Sequence, residues 1–157
     1  MSSADMTLTE FHENFDAIDT PDNRHGARQL ALQALYWESC GAGKAELALQ
    51  NLEQNLKLSE QVSGFAAMLV DLASSHVLEL DELISANATH WRPERMARID
   101  RIILRQTLAE VLFIEEVPVR VSIDEAVELA RLFSTEQSYS FVNGILDAVV
   151  HQKGLLA

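Results

Sequence analysis

Arg24, His25 and Arg28 open the stretch RHGARQLALQALY, and Tyr36 closes it. Just before it, Thr20-Pro21-Asp22-Asn23 combines capping residue types with a proline suited to a first turn, so a helix begins near Arg24. Cations in a first turn oppose the positive end of the helix dipole, at a cost of about 0.3–1 kcal/mol each. The placement makes physical sense when an anion joins them, either a phosphate or a carboxylate from the acidic N-terminal tail. On a helical wheel Tyr36 stands about 120° from Arg24, on the side of His25, Arg28 and Leu32. Basic groups beside an aromatic ring suit single-stranded RNA, which is held by phosphate contacts and base stacking. The plainer reading is a set of surface arginines lying along apolar neighbours, with Tyr36 at the edge of the core.

A second basic set is Arg92, Arg95, Arg98, Arg101 and Arg105. The last four share an arc of about 120° on one helix. With Glu94 and Asp100 nearby, a salt-bridged solvent face competes with a partner surface, and such exposed pairs contribute little stability. Catalytic chemistry is not evident. The five histidines make no HExxH pair, and a lone cysteine, Cys40, cannot build a zinc site or an intrachain disulfide. No glycine-rich phosphate loop follows a strand. The expectation is a protein that is not an enzyme, with no metal and no cofactor.

The elements that must position these groups read as helices throughout. The first runs to about Cys40 with Ala27, Leu30, Ala31, Ala34 and Trp37 inward, and the second spans about 44–56. From Ser59 to Leu83 apolar residues recur every three or four positions. Such a helix would be about 40 Å long unbroken, so a bend or break is expected near His76. Pro93 opens a helix at about 94–115. Val117 to Val121 is expected as an extended connector around Pro118, with a capping box of Ser122 and Glu125 starting a helix at 123–133. The last helix covers about 136–152, where Gly144 would let a neighbour approach closely. The fold class is all-α.

Composition sets the remaining bounds. The 157 residues carry a net charge of −12, against the broad positive field expected of a nucleic-acid binder. Half of that charge lies in residues 1–23, which hold six carboxylates and no Lys or Arg. That segment is expected to be an acidic, poorly ordered tail. No apolar run is long enough for a membrane span, and no secretory signal opens the chain. A cytoplasmic setting is the expectation.

Several runs resemble the NusB family: QALY at Gln33 to Tyr36, Trp91 followed by DRIILR at Asp100 to Arg105, IDEAVELA at Ile123 to Ala130, and SYSFVNGILD at Ser138 to Asp147. The likeness spans about residues 24–152 with order and spacing kept. It implies two packed three-helix bundles of about seven helices, within residues 24–157, with bundle one at about 24–90 and bundle two at about 91–157. It further implies a transcription antitermination factor that binds boxA-type single-stranded RNA with the ribosomal protein NusE, and that contacts RNA polymerase indirectly.

By position, the resemblance places the RNA surface at Arg24, His25, Arg28, Tyr36, Arg105, Arg120, Gln137, Tyr139 and Phe141, and the NusE face at Glu94 and Asp100. The family's first helix is denser in arginine. Here His25 stands where arginine is usual and Gly26 offers no side chain. His25 would then be a conditional contact, charged only at mildly acidic pH. Two other readings compete. One is a homodimeric helical scaffold whose RNA surface is masked by the second subunit or by the acidic tail. The other is a fragment of an RNA methyltransferase that carries a domain of this type.

Overall fold

Apolar periodicity of three to four residues continues along nearly the whole chain, and each such run folds as a helix. The computed structural model describes residues 7–16, 18–88 and 96–155, excepting the side chains of Leu8, His12 and Asn14. Its helices are α1 (Leu8–Asp16), α2 (Arg24–Ser39), α3 (Ala45–Glu53), α4 (Glu60–Ser75), α5 (Val77–Asn87), α6 (Arg98–Phe113), α7 (Val119–Phe133) and α8 (Ser138–Gln152). The described residues contain no strand.

Local chemistry explains the boundaries. Asn23 is extended, and its side chain accepts a hydrogen bond from Gly26 N at 2.9 Å, capping α2. Past the end of α2, Gly41 takes φ +77°, the left-handed conformation favoured by glycine after a helix. The long apolar run breaks at His76 as expected, giving α4 and α5. The helix expected from about 94 begins at Arg98 within the described residues.

α2, α3 and α4 pack on one another, as do α6, α7 and α8. α5 lies mainly against α6 and α8, so the division between the two groups falls at His76 rather than near residue 90. α6 also packs on α2 and α4 and joins the halves through one continuous core, with Leu32, Leu69, Ile103, Leu108 and Leu146 at its heart.

Three expectations are corrected. The acidic segment is not wholly unstructured, since residues 8–16 form α1. Thr7 and Glu10 cap it reciprocally: Thr7 N–H donates to Glu10 Oε2 at 2.9 Å, and Glu10 N–H donates to Thr7 Oγ1 at 3.1 Å. Phe11 and Phe15, one turn apart, are both buried. Burying each ring is worth about 1.5–3 kcal/mol, while Glu10, Glu13 and Asp16 stay in solvent. Apolar burial therefore fixes a segment whose net charge alone suggested disorder.

Second, the connector at 117–121 is helical from Val119. Pro118, with ψ 137°, is itself the residue before the helix. A proline restricts the residue before it and leaves the residues after it free to turn. Ser122 is therefore inside α7, and its hydroxyl is used elsewhere. Third, a Cβ on Gly144 would meet nothing within 4 Å, so no helix packs closely there. The close approach occurs at Gly26, where a Cβ would lie 1.9 Å from the Pro21 carbonyl oxygen.

Candidate RNA and partner interface

The first turn of α2 brings its cations together and pairs each with a carboxylate. Arg24 is exposed; Nη2 donates to Glu116 Oε1 at 2.8 Å, and its guanidinium lies 4.7 Å from the centre of the Phe65 ring. His25 Nδ1 lies 2.6 Å from Glu125 Oε2, while Nε2 faces Gln29 Nε2 at 3.1 Å. Arg28 is only 4 % exposed. Its Nε and Nη2 each donate to Glu110 at 2.8 Å in a two-pronged pair. Ser122 Oγ also donates to Glu110, and Gln106 Nε2 donates to the Arg28 carbonyl at 2.9 Å. These residues come from α2, α6 and α7, so the cluster bolts the two halves together. The anion that accounts for Arg28 is thus a carboxylate of this chain.

The other candidates fall into separate places. Tyr36 is 0 % exposed, with the Phe11 ring stacked on it at 3.8 Å and 16°. In this state its ring offers no face to a base. Arg105 forms a two-pronged pair with Asp81, at 2.7 and 2.8 Å, and ties α6 to α5. Arg120 lies exposed, 3.7 Å from Asp147. At the start of α8, Gln137 is exposed and Phe141 is half-buried against the core. Tyr139 is 37 % exposed, with the Arg131 guanidinium 4.7 Å from its ring centre. Asp124, Glu128, Arg131, Tyr139 and Asn143 line the groove between α7 and α8.

Of the two residues assigned to the protein partner, Glu94 lies outside the described residues, as do Arg92 and Arg95. Asp100 is 5 % exposed. Its carboxylate accepts from Ser134 Oγ at 2.6 Å and from Ser138 Oγ at 2.8 Å, tying the start of α6 to the α7–α8 junction. A buried, hydrogen-bonded carboxylate has little to offer a partner directly; it shapes the junction beside one. Asp100→Ala is expected to lower stability by about 2–3 kcal/mol, because two hydroxyls lose a charged acceptor. Thermal unfolding of the variant beside Asp100→Asn measures this.

The sequence reading missed Glu110 and Glu125 as the anions that answer Arg28 and His25, and Ser122 as a donor to Glu110. The nearest signal was the suggestion that a tail carboxylate could stand in for phosphate; the carboxylates come instead from α6 and α7. It also missed Phe65, which lies under both arginines, with the Arg28 guanidinium 5.2 Å from its ring centre.

Residues 25–151 match the model of the NusB family. The chain belongs to the NusB family. A curated relative from Elusimicrobium minutum, a transcription antitermination protein NusB, is 41 % identical over 134 residues, which is 83 % of this chain and 95 % of the relative. Among solved structures, T. maritima NusB superposes with a TM-score of 0.76 at 30 % identity, covering 86 % of this chain and 94 % of that one. A complex of antitermination factors NusB and NusE with double-stranded RNA superposes with a TM-score of 0.72 at 29 % identity, over 82 % and 96 % of the two chains. The all-α NusB fold expected from the sequence is therefore present. α1 lies outside the residues that match the family, and the arginine-bearing α2 lies inside from His25 onward.

Proposed function

We propose that this protein is a transcription antitermination factor that binds boxA-type single-stranded RNA together with a NusE-type ribosomal protein, within the bacterial cytoplasm. The observation that carries the reading is the family match across 25–151, from the α2 cation cluster to the end of α8. NusB in complex with NusE and RNA, superposing over most of the chain, supports both partners.

The surface chemistry sharpens which residues do the work. Arg24–Glu116 and Arg120–Asp147 are exposed pairs. Such pairs hold together by about 0–1 kcal/mol, so an incoming phosphate can displace the carboxylate. His25, Tyr139, Gln137 and Phe141 add a ring nitrogen, two aromatic rings and an amide for bases and sugars. Arg28 stays in its buried two-pronged pair with Glu110, and Arg105 in its own with Asp81.

With Arg24 and Arg120 as the exposed cations of this surface, the salt dependence should be shallow. Arg24→Ala is expected to flatten the slope of log affinity against log salt by about 0.7, while Arg105→Ala leaves it unchanged. A salt-series titration with boxA RNA and a scrambled RNA, each with and without NusE, measures both. Equal binding of the two RNAs in the presence of NusE defeats the reading.

A further inference from the structure

α1 fills a groove between the C-terminal half of α2 and the end of α7. Four rings run across it in a continuous stack. Phe11 lies on Tyr36 at 3.8 Å, Phe11 meets Phe15 edge-on at 4.6 Å, and Phe15 lies on Phe133 at 4.0 Å and 14°. The floor of the groove, Tyr36 and Phe133, belongs to the stretch that matches the family, whereas its occupant does not. The chain supplies its own cover for a family surface.

The geometry points to this groove as the docking surface for a helix of the protein partner, with α1 as an intramolecular competitor that must leave first. The inference rests on the proposed function, which supplies the partner. Three observations favour a protein helix as the replaced occupant. The groove already accepts a helix by aromatic anchors at i and i+4, a recurrent way of seating amphipathic helices. Ser134, next to Phe133, donates to Asp100, the position that the resemblance assigns to the NusE face. And Arg24 and Arg120, exposed cations of the proposed RNA surface, lie at the starts of α2 and α7, away from a groove formed at the other ends of those helices.

α1 is also suited to leaving. At nine residues it is shorter than the roughly 12–15 residues at which an isolated helix holds in water, so it is helical because it is docked. Among its described side chains the buried ones are Phe11 and Phe15, while Glu10, Glu13 and Asp16 remain solvated. Tethered to α2 through residues 17–23, it acts at a high effective concentration, so a partner feels a weakened affinity rather than a blocked site.

The test compares the full chain, Phe11→Ala/Phe15→Ala, and a chain lacking residues 1–17, each titrated with NusE and separately with boxA RNA alone. The double substitution undocks α1 while leaving every residue of the family stretch in place, and helical content checks the fold. NusE should bind both altered chains about tenfold or more tightly than the full chain, with RNA affinity unchanged. A peptide of residues 7–18 should compete with NusE for the shortened chain. Equal NusE affinity for all three chains overturns the inference and leaves the proposed function standing. Tighter RNA binding without NusE overturns it in favour of a groove that stacks bases. If none of the three binds NusE, the proposed function falls and the inference with it.

Discussion

Arg28→Ala should lower the stability of this protein by about 3–5 kcal/mol, a large share of what a domain of this size has. Removing the guanidinium leaves Glu110 buried at the joint of α2, α6 and α7 with one hydroxyl donor, from Ser122, to hold it. The damage comes from an uncompensated charge rather than from the lost pair as such, so removing both charges should do less harm. Arg28→Met combined with Glu110→Leu is expected to recover most of the stability. Urea unfolding of the two single variants and the double variant gives the cycle. The same measurement separates the two roles open to Arg28. A variant that unfolds with the wild-type midpoint but loses RNA affinity would make Arg28 a phosphate contact after all.

Gly26→Ala should cost about 3 kcal/mol. Its Cβ would stand 1.9 Å from the Pro21 carbonyl oxygen and 2.9 Å from the carbon. Backbone, unlike the end of a flexible side chain, cannot swing aside. The segment before α2 would have to lift, and Asn23, which caps α2 through Gly26 N, would move with it. Thermal unfolding reads the loss. Gly144→Ala, facing open space inside α8, is the control and should gain about 0.5–1 kcal/mol by reducing the freedom of the unfolded chain.

The periodicity of apolar residues made α2 to α8 legible, including the break at His76. What escaped it depended on residues far apart in the chain. Glu110 lies 82 positions from Arg28, and no local pattern couples them. The α1 helix was hidden for a different reason: six carboxylates without a cation dominate the composition of residues 1–23. Thr7 and Glu10 at capping-box spacing, with Phe11 and Phe15 one turn apart, were the local signals that outweigh that charge. Tyr36 read as a stacking surface because its neighbours on the wheel are basic. Its ring does stack, but on Phe11. Gly26 looked like a missing cation and is instead where two stretches of backbone meet.

The joint between Arg28 and Glu110 also sets an order of events as the chain leaves the ribosome. With Glu110 82 residues downstream, and synthesis at about 5–20 residues per second, Arg28 emerges roughly 4–16 s before its carboxylate exists. For the later part of that interval, from Ser75 onward, α2, α3 and α4 are complete while their arginine carries an unanswered charge. The first half of the molecule must therefore wait, with its most buried cation still in water, for the sixth helix to arrive and close the seam.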